Sequence, residues 1–364
     1  RNRFGRLLEQ MEIKINTKKK ALVTGGTGFV AGWIIKQLVE AGVNVHATVR
    51  DPSDDAKVGH LLELSQNGPG SVTLFQADLL EAGSFNAAVE GCSFVFHTAS
   101  PFILKFNDPQ RDLIDPALKG TQNILEAVSS SDSVEKVVLT SSVVAIYGDT
   151  DECAFAPNNM LNETIWNTTS SAFHQPYSYS KTVAEKEAWK IAEAQEKWSL
   201  VVINPSLVLG PTVSGKSTSA SHDICLQMGD GTMKAGAPPF EIGMVDVRDV
   251  ADAHIRAAYI LDASGRHIVS NESCTPLKLS KMLQEQFEQY PLPKKELPKW
   301  LVWLVGPIMD KSMTRKVIAK NMGHSWKADN SKSKEKLGIE YRSLNTSIIE
   351  MFQQMIDEGS FKKS

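Results

Sequence analysis

Residues 21–32 read Ala-Leu-Val-Thr-Gly-Gly-Thr-Gly-Phe-Val-Ala-Gly, and this stretch decides the fold. Its first residues are apolar and predict a short buried strand, and the segment 29–41 has the apolar spacing of a helix. Between them, Gly25 permits a tight turn and Gly28 lets the backbone approach a ligand. The free N–H groups and positive dipole end of such a helix attract an anion, so the stretch predicts a pyrophosphate site. The alternative is an ordinary glycine-rich turn between a strand and a helix.

Apolar runs of strand length recur along the first 205 residues, and helix-like stretches separate most of them. The strand-like runs cover 20–24, 43–49, 72–76, 94–98, 136–141 and 199–204, and the helix-like stretches lie near 29–41, 57–65, 84–89, 109–130 and 176–195. Alternating strands and helices predict a parallel sheet covered on both faces, with right-handed crossovers. We therefore expect an α/β fold, a doubly wound parallel sheet of the Rossmann type, over residues 19–205.

The rest of the chain, residues 206–364, is expected to form mainly a small C-terminal substrate-binding lobe. Residues 212–239 are rich in Gly, Ser and Ala and predict a mobile loop near the site. The later elements are a short strand at 244–247, a helix from residue 249, and helices from residue 277 and over 345–357. The elements near 244–262 are expected to return and pack on the Rossmann core. Residues 1–18 are basic and do not fit the fold, which indicates an N-terminal extension or an expression remnant.

A tyrosine and a lysine at helical spacing are the first candidates for chemistry, in the sequence Tyr-Ser-Tyr-Ser-Lys at 177–181. The four-residue spacing puts Tyr177 and Lys181 on one face of a helix, one turn apart. Because a nearby ammonium favours the phenolate, we expect Lys181 to lower the pKa of Tyr177. Such a tyrosine can pass a proton to or from a substrate oxygen near neutral pH. Tyr179 has Val183 at the matching position and is not expected to do the same.

Three hydroxyl residues, Thr140, Ser141 and Ser142, end the fifth predicted strand. Strand ends at one edge of an open parallel sheet line the ligand crevice. Ser142 can therefore donate a hydrogen bond to a substrate carbonyl oxygen. Taken alone, a Thr-Ser-Ser run more often marks a polar transition from strand to loop.

Three motifs in this order carry a family resemblance: Gly25-x-x-Gly28-x-x-Ala31, Thr140-Ser-Ser142 and Tyr177-x-x-x-Lys181. Together they resemble the extended short-chain dehydrogenases/reductases. The sequence is most similar to the branch that holds dihydroflavonol reductases, cinnamoyl-CoA reductases and related aldehyde and ketone reductases. The segments that point to this branch are 47–52, 75–78, 95–101, 204–211 and 245–254, and the likeness covers residues 19–358.

The resemblance implies an NADPH-dependent carbonyl reductase whose catalytic residues are Ser142, Tyr177 and Lys181. NADPH would supply a hydride and Tyr177 the proton, with no metal. The implied cofactor-binding residues are Gly25, Thr27, Gly28, Phe29, Val30, Arg50, Lys57, Asp78, Leu79, Thr98, Ala99, Ser100, Thr140, Tyr177, Lys181, Pro205, Ser206, Leu207 and Val208. Among them Asp78 would bind the adenine, with an ordinary helix-cap role as the alternative. His97 is expected to be a packed strand-end histidine.

The cofactor choice depends on the tip of the second strand, which should end beside the adenine ribose. Arginine there suits the 2′-phosphate of NADP, whereas an acidic residue suits the 2′-hydroxyl of NAD. Arg50 occupies the tip and Lys57 follows it, so we expect NADP. Asp51 is the alternative, since it could turn inward and bind a 2′-hydroxyl.

The predicted pocket walls are largely apolar and lie in 101–106, 147–176 and 206–240. They supply Phe102, Ile103, Phe106, Phe155, Met160, Trp166, Phe173, Met228, Met233 and Phe240, with only Lys105, Lys216 and Lys234 as cations. These side chains favour a neutral, mostly apolar aldehyde or ketone as the substrate.

The sequence departs from the family pattern at two places that bear on function. Ala117 replaces the asparagine of many relatives, and the Asn-Trp before the tyrosine in cinnamoyl-CoA reductases is missing, which makes a CoA thioester doubtful.

The amino-acid composition limits which other classes of protein are possible. The 364 residues are 42% hydrophobic and 22% charged with a net charge of −3, which favours a large core and argues against a nucleic-acid binder. Four cysteines without Cys-x-x-Cys spacing predict neither a zinc site nor a disulfide framework. No apolar run reaches transmembrane length.

We expect a cytoplasmic monomer or homodimer that does not bind membranes. The alternatives are a sugar-nucleotide epimerase or dehydratase using NAD, a 3β-hydroxysteroid dehydrogenase, and an NADP-sensing binding protein without turnover.

Overall fold

A parallel seven-stranded sheet forms the centre of the computed structural model, which describes residues 13–100, 106–215 and 219–361. The strands in chain order are β1 (Lys20–Thr24), β2 (Asn44–Val49), β3 (Ser71–Gln76), β4 (Cys92–His97), β5 (Lys136–Thr140), β6 (Ser199–Pro205), β7 (Leu207–Leu209), β8 (Ile242–Asp246), β9 (Gly265–Val269) and β10 (Glu272–Cys274). The large sheet has the order β3-β2-β1-β4-β5-β6-β9, and every neighbouring pair in it is parallel. The chain order reverses direction in the sheet between β1 and β4, where α/β sheets of this type bind ligands.

Helices cover both faces of this sheet. They are α1 (Phe29–Glu40), α2 (Asp55–Asn67), α3 (Asn86–Val89), α4 (Asp115–Ser130), α5 (Pro176–Glu193), α6 (Ala220–Gly229), α7 (Val247–Tyr259), α8 (Pro276–Gln284), α9 (Lys299–Met309), α10 (Arg315–Asn321), α11 (Ser331–Lys336) and α12 (Leu344–Asp357). A π-helical turn, Gln110–Ile114, leads into α4. No helix of the described residues is long and apolar enough to cross a membrane.

Two hydrophobic cores lie on opposite faces of the sheet because successive side chains of a strand alternate. In β1, Ala21 and Val23 pack into the core shared with α1, α2 and α7. Leu22, between them, packs into the other core with residues of α4 and α5. All three side chains are fully buried. A strand buried on both faces reads as a continuous apolar run, which is why the sequence predicted it. The doubly wound fold is thus confirmed.

The second half of the chain contributes a smaller sheet and part of the large one. The sheet β10-β8-β7 packs with α6, α8 and α12 around a core of its own. Helix α7 packs on α1, and β9 extends the large sheet next to β6. The division of the chain into separate domains stays a prediction.

The predicted elements of the first 205 residues are confirmed to within a few residues at their ends. In the second half one prediction fails, and one strand of the large sheet was not predicted. The segment 212–239 contains α6, whose N-terminus is capped by Ser219, so its small residues belong in part to a helix. Strand β9 was missed because it carries Arg266 and His267, which are polar yet buried. A polar residue in a strand conceals the apolar pattern on which sequence prediction depends.

Candidate active site

The glycine turn between β1 and α1 forms a cradle of backbone. Gly25 has a φ of +65°, in the region that favours glycine, and a Cβ there would lie 3.0 Å from the Cα of Ala99. A Cβ on Gly28 would lie 3.1 Å from the carbonyl oxygen of Gly25. Gly28 is also the N-cap of α1 and offers no side chain to cap it. No cap therefore competes with an anion for the first N–H groups of α1, among them those of Phe29 and Val30.

Thr24, which the sequence reasoning missed, fixes the loop after β4 against this cradle. Its Oγ1 accepts hydrogen bonds from the N–H groups of Thr98 (3.2 Å) and Ala99 (3.1 Å). It also hydrogen-bonds to Nδ1 of His97 at 2.7 Å. Burial, and to a lesser degree the charge of Lys181, lowers the pKa of His97 to about 3. The histidine is neutral and packed, as predicted.

Lys181 connects helix α5 to the loop after β4. Its Nζ donates to Oγ of Ser100 at 3.0 Å, and burial lowers the pKa of its ammonium to about 8. Nζ lies 5.9 Å from the centre of the Tyr177 ring. The predicted pair is therefore on one face of α5, with the ammonium directed to Ser100.

Tyr177 lies in the first turn of α5, directly after Pro176 and after Gln175, whose φ is +54°. The residue is 40% exposed. Burial of the remainder raises the pKa of Tyr177 to about 12. The expectation that Lys181 lowers this pKa is wrong for the structure as it stands, because desolvation outweighs an ammonium whose hydrogen bond goes to Ser100. Tyr177 is a neutral phenol at pH 7.

Thr140 is the last residue of β5 and Ser142 lies two residues later, and their hydroxyls have different surroundings. Oγ of Ser142 accepts from the N–H of Val144 at 3.2 Å and caps a short 3₁₀ turn, Val143–Ala145. Its own hydrogen stays available for a substrate oxygen. Thr140 Oγ1 instead hydrogen-bonds to Nε2 of His254 at 2.6 Å. The structure gives Thr140 this partner on α7, where a cofactor contact was predicted.

The tip of β2 carries the residues expected to choose the cofactor. Arg50 is exposed, and its guanidinium has no partner among the described residues. Lys57 is 69% exposed and pairs with Asp54 at 2.8 Å, an exposed contact of little strength. Asp51, the alternative ligand for a 2′-hydroxyl, accepts hydrogen bonds from the Ser53 side chain and backbone, which lower its pKa. Of the three charged side chains Arg50, Asp51 and Lys57, only that of Arg50 is not already engaged by another described residue.

Two further predicted cofactor-binding residues, Asp78 and Ser206, lie where the adenine and nicotinamide ends of the cofactor are expected. Asp78 Oδ1 accepts from the N–H of Leu80 at 2.8 Å and so closes a turn after β3, next to Leu79. At the other end, Ser206 follows Pro205 and precedes Leu207 and Val208, the first two residues of β7. Ser206 is buried, and its Oγ has no hydrogen-bond partner among the described residues. An orphaned buried hydroxyl at one end and a glycine cradle near the other fit a dinucleotide.

The residues predicted to form the pocket walls have different surroundings in the structure. Phe155 and Phe173 are highly exposed, at 88% and 96%. Met228 and Met233 are buried in the core of the smaller lobe, as expected for some members of this apolar set. Phe240 packs against the cluster around α9 and α10. Phe102, Ile103, Lys105 and Lys216 lie outside the described residues.

Two buried polar clusters beside the site escaped sequence reasoning. His174 Nε2 hydrogen-bonds to Asp149 Oδ2 at 2.6 Å, which leaves it committed to the protein and not to a substrate. Glu185, one turn after Lys181, receives hydrogen bonds from the residue after β5, from β6 and from β9. These donors are Ser141 Oγ (2.5 Å), Asn204 Nδ2 (2.9 Å) and Arg266 Nε (2.6 Å), and Trp189 Nε1 on α5 adds a longer bond of 3.2 Å. The spacing of Glu185 from Lys181 was a usable signal, but its partners are distant in sequence.

Comparison with known proteins agrees with this geometry. The chain matches the model of the NAD dependent epimerase/dehydratase family over residues 21–269. It is 40% identical over 278 residues to the cinnamoyl-CoA reductase CAD2 of Medicago truncatula, covering 75% of this chain and 82% of that protein. It is also 40% identical over 278 residues to tetraketide alpha-pyrone reductase 2 of Arabidopsis thaliana, covering 75% and 84%.

A solved structure extends the likeness to nearly the whole chain. The yeast methylglyoxal/isovaleraldehyde reductase Gre2, complexed with NADPH, superposes with a TM-score of 0.74 at 27% identity, covering 94% of this chain and 99% of that one. The chain therefore belongs to the NAD-dependent epimerase/dehydratase family and is an oxidoreductase of its extended short-chain dehydrogenase/reductase branch.

Proposed function

We propose that this protein is an NADPH-dependent carbonyl reductase that converts a neutral, mostly apolar aldehyde or ketone into an alcohol. One observation carries the proposal. Tyr177, a protonated phenol, and Lys181 lie on one face of α5, and the Lys181 ammonium is tied to Ser100 in the loop beside the glycine cradle. A proton donor and a dinucleotide cradle thus share one edge of the sheet.

NADPH is the cofactor and, when bound, would supply the hydride. The cradle of Gly25 and Gly28 would hold its pyrophosphate, Arg50 its 2′-phosphate, and Ser206 would lie near its nicotinamide. The yeast Gre2 reductase to which the chain is similar was solved with NADPH. The unpaired guanidinium of Arg50 favours NADPH over NADH, because arginine recognises phosphate through charge-assisted hydrogen bonds.

The chain's own residues handle the proton. Ser142 donates its free hydroxyl hydrogen to the substrate oxygen and orients the carbonyl. Tyr177 gives its phenol proton to the same oxygen as negative charge develops there. Lys181, whose pKa of about 8 keeps it mostly charged at pH 7, stabilises the phenolate that remains. These roles need no metal.

The chemistry of the predicted pocket segments supports the substrate class. Phe155 and Phe173 offer exposed aromatic surface, and Lys234 is the one predicted pocket cation that the described residues include. The relatives reduce a cinnamoyl-CoA, a pyrone and small aldehydes, as their names state. The residues before Tyr177 read Phe-His-Gln-Pro and lack the Asn-Trp of cinnamoyl-CoA reductases, which favours a free carbonyl compound over a CoA thioester.

The test is NADPH consumption by the purified protein with aryl and alkyl aldehydes and ketones, cinnamoyl-CoA and UDP-glucose. Free carbonyl compounds should give the highest kcat/KM. Tyr177→Phe should lower kcat by roughly 10² or more while NADPH binding persists, whereas Tyr179→Phe should change kcat little. Preferential turnover of cinnamoyl-CoA would correct the substrate class. Near-normal kcat in Tyr177→Phe would refute the mechanism. Epimerisation and dehydration consume no net NADPH, so UDP-glucose is also followed by chromatography of its products; its conversion, with no reduction of the carbonyl compounds, would favour an epimerase or dehydratase.

A further inference from the structure

We infer that Glu185 is a positioning residue that fixes Ser142 relative to the helix carrying Tyr177. The inference rests on the proposed roles of Ser142 and Tyr177. Tyr177, Lys181 and Glu185 are spaced four residues apart on α5 and therefore occupy one face of the helix. Glu185 is 1% exposed. Its carboxylate faces the sheet at the point where the strands of the candidate site end.

This one carboxylate accepts hydrogen bonds from Ser141, directly after β5, from Asn204 in β6 and from Arg266 in β9. Ser141, next to Ser142, donates through Oγ to Oε2 at 2.5 Å. Asn204 donates through Nδ2 to the same oxygen at 2.9 Å. The Asn204 amide also donates to the carbonyl oxygen of Ser142 at 3.1 Å. Two short paths therefore connect α5 to Ser142, one through the neighbouring hydroxyl and one through the backbone.

Other polar contacts between α5 and the turn after Ser142 are weak. Thr182 Oγ1 lies 3.5 Å from the carbonyl oxygen of Val144, at the limit for a hydrogen bond, and it makes a shorter bond of 2.7 Å to Ser178 on its own helix. Glu185 thus provides the main polar connection between the helix with Tyr177 and the strand end with Ser142.

A buried cation completes the arrangement. Arg266 on β9 donates through Nε to Glu185 Oε1 at 2.6 Å, and both side chains are almost fully buried. The guanidinium also donates to the carbonyl oxygens of Ala145 and Ile165 and stacks 3.8 Å over the ring of Trp166. With Arg266 held on several sides, the carboxylate has little freedom to move.

Stability alone does not account for such a pair. Desolvation of two charges often cancels their attraction, and well-packed apolar residues can be equally stable in their place. A buried ion pair does, however, impose one geometry through its directional hydrogen bonds. In this site the geometry matters because a misplacement of about 1 Å between reacting groups can cost a hundredfold in rate.

A matched pair of variants tests the inference. Ser141→Ala removes one donor to Glu185 on the path to Ser142. Trp189→Phe also removes one donor to Glu185, the Nε1 that lies 3.2 Å from Oε1, but Trp189 is on α5 itself and has no path to Ser142. The readout is single-turnover oxidation of bound NADPH by a ketone substrate, with NADPH affinity measured separately.

This measurement distinguishes a positioning defect from a folding defect by which quantity changes. A positioning defect lowers the rate constant, whereas loss of folded protein lowers only the amplitude. Ser141→Ala should lower the rate constant about threefold to tenfold, the equivalent of one net hydrogen bond, with NADPH affinity unchanged. Glu185→Gln should lower it further, and Trp189→Phe should keep it within about twofold of wild type.

A wild-type rate constant in Ser141→Ala, or an equal loss in Trp189→Phe, would overturn the inference. Because Ser141→Ala leaves the Glu185–Arg266 ion pair intact, it remains informative even where Glu185→Gln does not fold. Tyr177→Phe separates this outcome from failure of the proposed function. If Tyr177→Phe is inactive and Ser141→Ala is normal, only the positioning role is lost. If Tyr177→Phe is active, the mechanism itself is wrong.

Discussion

Replacement of Gly25 by alanine tests the backbone cradle most directly. Gly25 has a φ of +65°, and the left-handed conformation costs an alanine about 1–2 kcal/mol. Its new Cβ would also lie 3.0 Å from the Cα and 3.1 Å from the Cβ of Ala99. Backbone cannot yield as a flexible side chain can, and overpacking of this kind costs about 1–3 kcal/mol. Gly25→Ala should therefore lower the free energy of unfolding by roughly 2–5 kcal/mol.

NADPH binding should weaken together with stability. The alanine would push the glycine turn away from the loop after β4, whose Ala99 N–H is held by Thr24. The N–H groups that face the pyrophosphate move with the turn, so the dissociation constant should rise at least tenfold, about 1.4 kcal/mol. Urea unfolding gives the first quantity and titration calorimetry at a temperature where the variant is folded gives the second.

Gly59→Ala is the control for this experiment. Gly59 lies within α2, and a Cβ there would meet nothing within 4 Å. Alanine is the better helix former, so this variant should be more stable than wild type by about 0.5–1 kcal/mol and bind NADPH equally well. If Gly25→Ala matched Gly59→Ala in stability and affinity, the conformational and steric reasoning would be refuted.

Three further predictions concern charge. Arg50→Ala should weaken NADPH binding tenfold to hundredfold in titrations and leave NADH unchanged, since a charge-assisted contact is worth about 1.5–3 kcal/mol; equal affinities of the wild type for both cofactors would contradict it. Burial lowers the pKa of His222, His254 and His267 to about 4 each, so the unfolded chain binds more protons and the free energy of unfolding should fall as pH decreases from about 6.5 towards 4; a flat urea-unfolding profile in this range would exclude the effect. The reduction rate should fall as pH rises through about 8, where Lys181 loses its charge, and any residual activity of Lys181→Arg should be flat in this range.

The fold was predictable wherever burial left a continuous apolar run in the sequence. Strands β1, β2, β4, β5 and β6 read this way because both faces of the sheet are covered. Strand β9 did not, since Arg266 and His267 lie in a strand and are nonetheless buried. The hydrogen bonds of Arg266 to Glu185 and to backbone carbonyls make that burial acceptable. These partners lie far away in sequence, and no local pattern reveals them.

The candidate site was predictable where its chemistry depends on short spacing. Helical geometry alone places Tyr177 and Lys181 on one face, and a turn of glycines before a helix indicates the cradle. The connections of Thr24 to Ala99 and of Glu185 to Ser141 span 75 and 44 residues. Such contacts arise from topology, because the ends of parallel strands meet at one edge of the sheet whatever their distance along the chain.

The wrong prediction for Tyr177 explains how its pairing with Lys181 would work. Burial raises the pKa of Tyr177 and lowers that of Lys181, so both shifts favour the neutral forms. The ammonium therefore does little to ionise the phenol before the reaction. In the proposed mechanism negative charge appears on the substrate oxygen and then on Tyr177. The attraction of Lys181 for that charge is then strongest in the transition state, and an interaction that strengthens there accelerates the reaction.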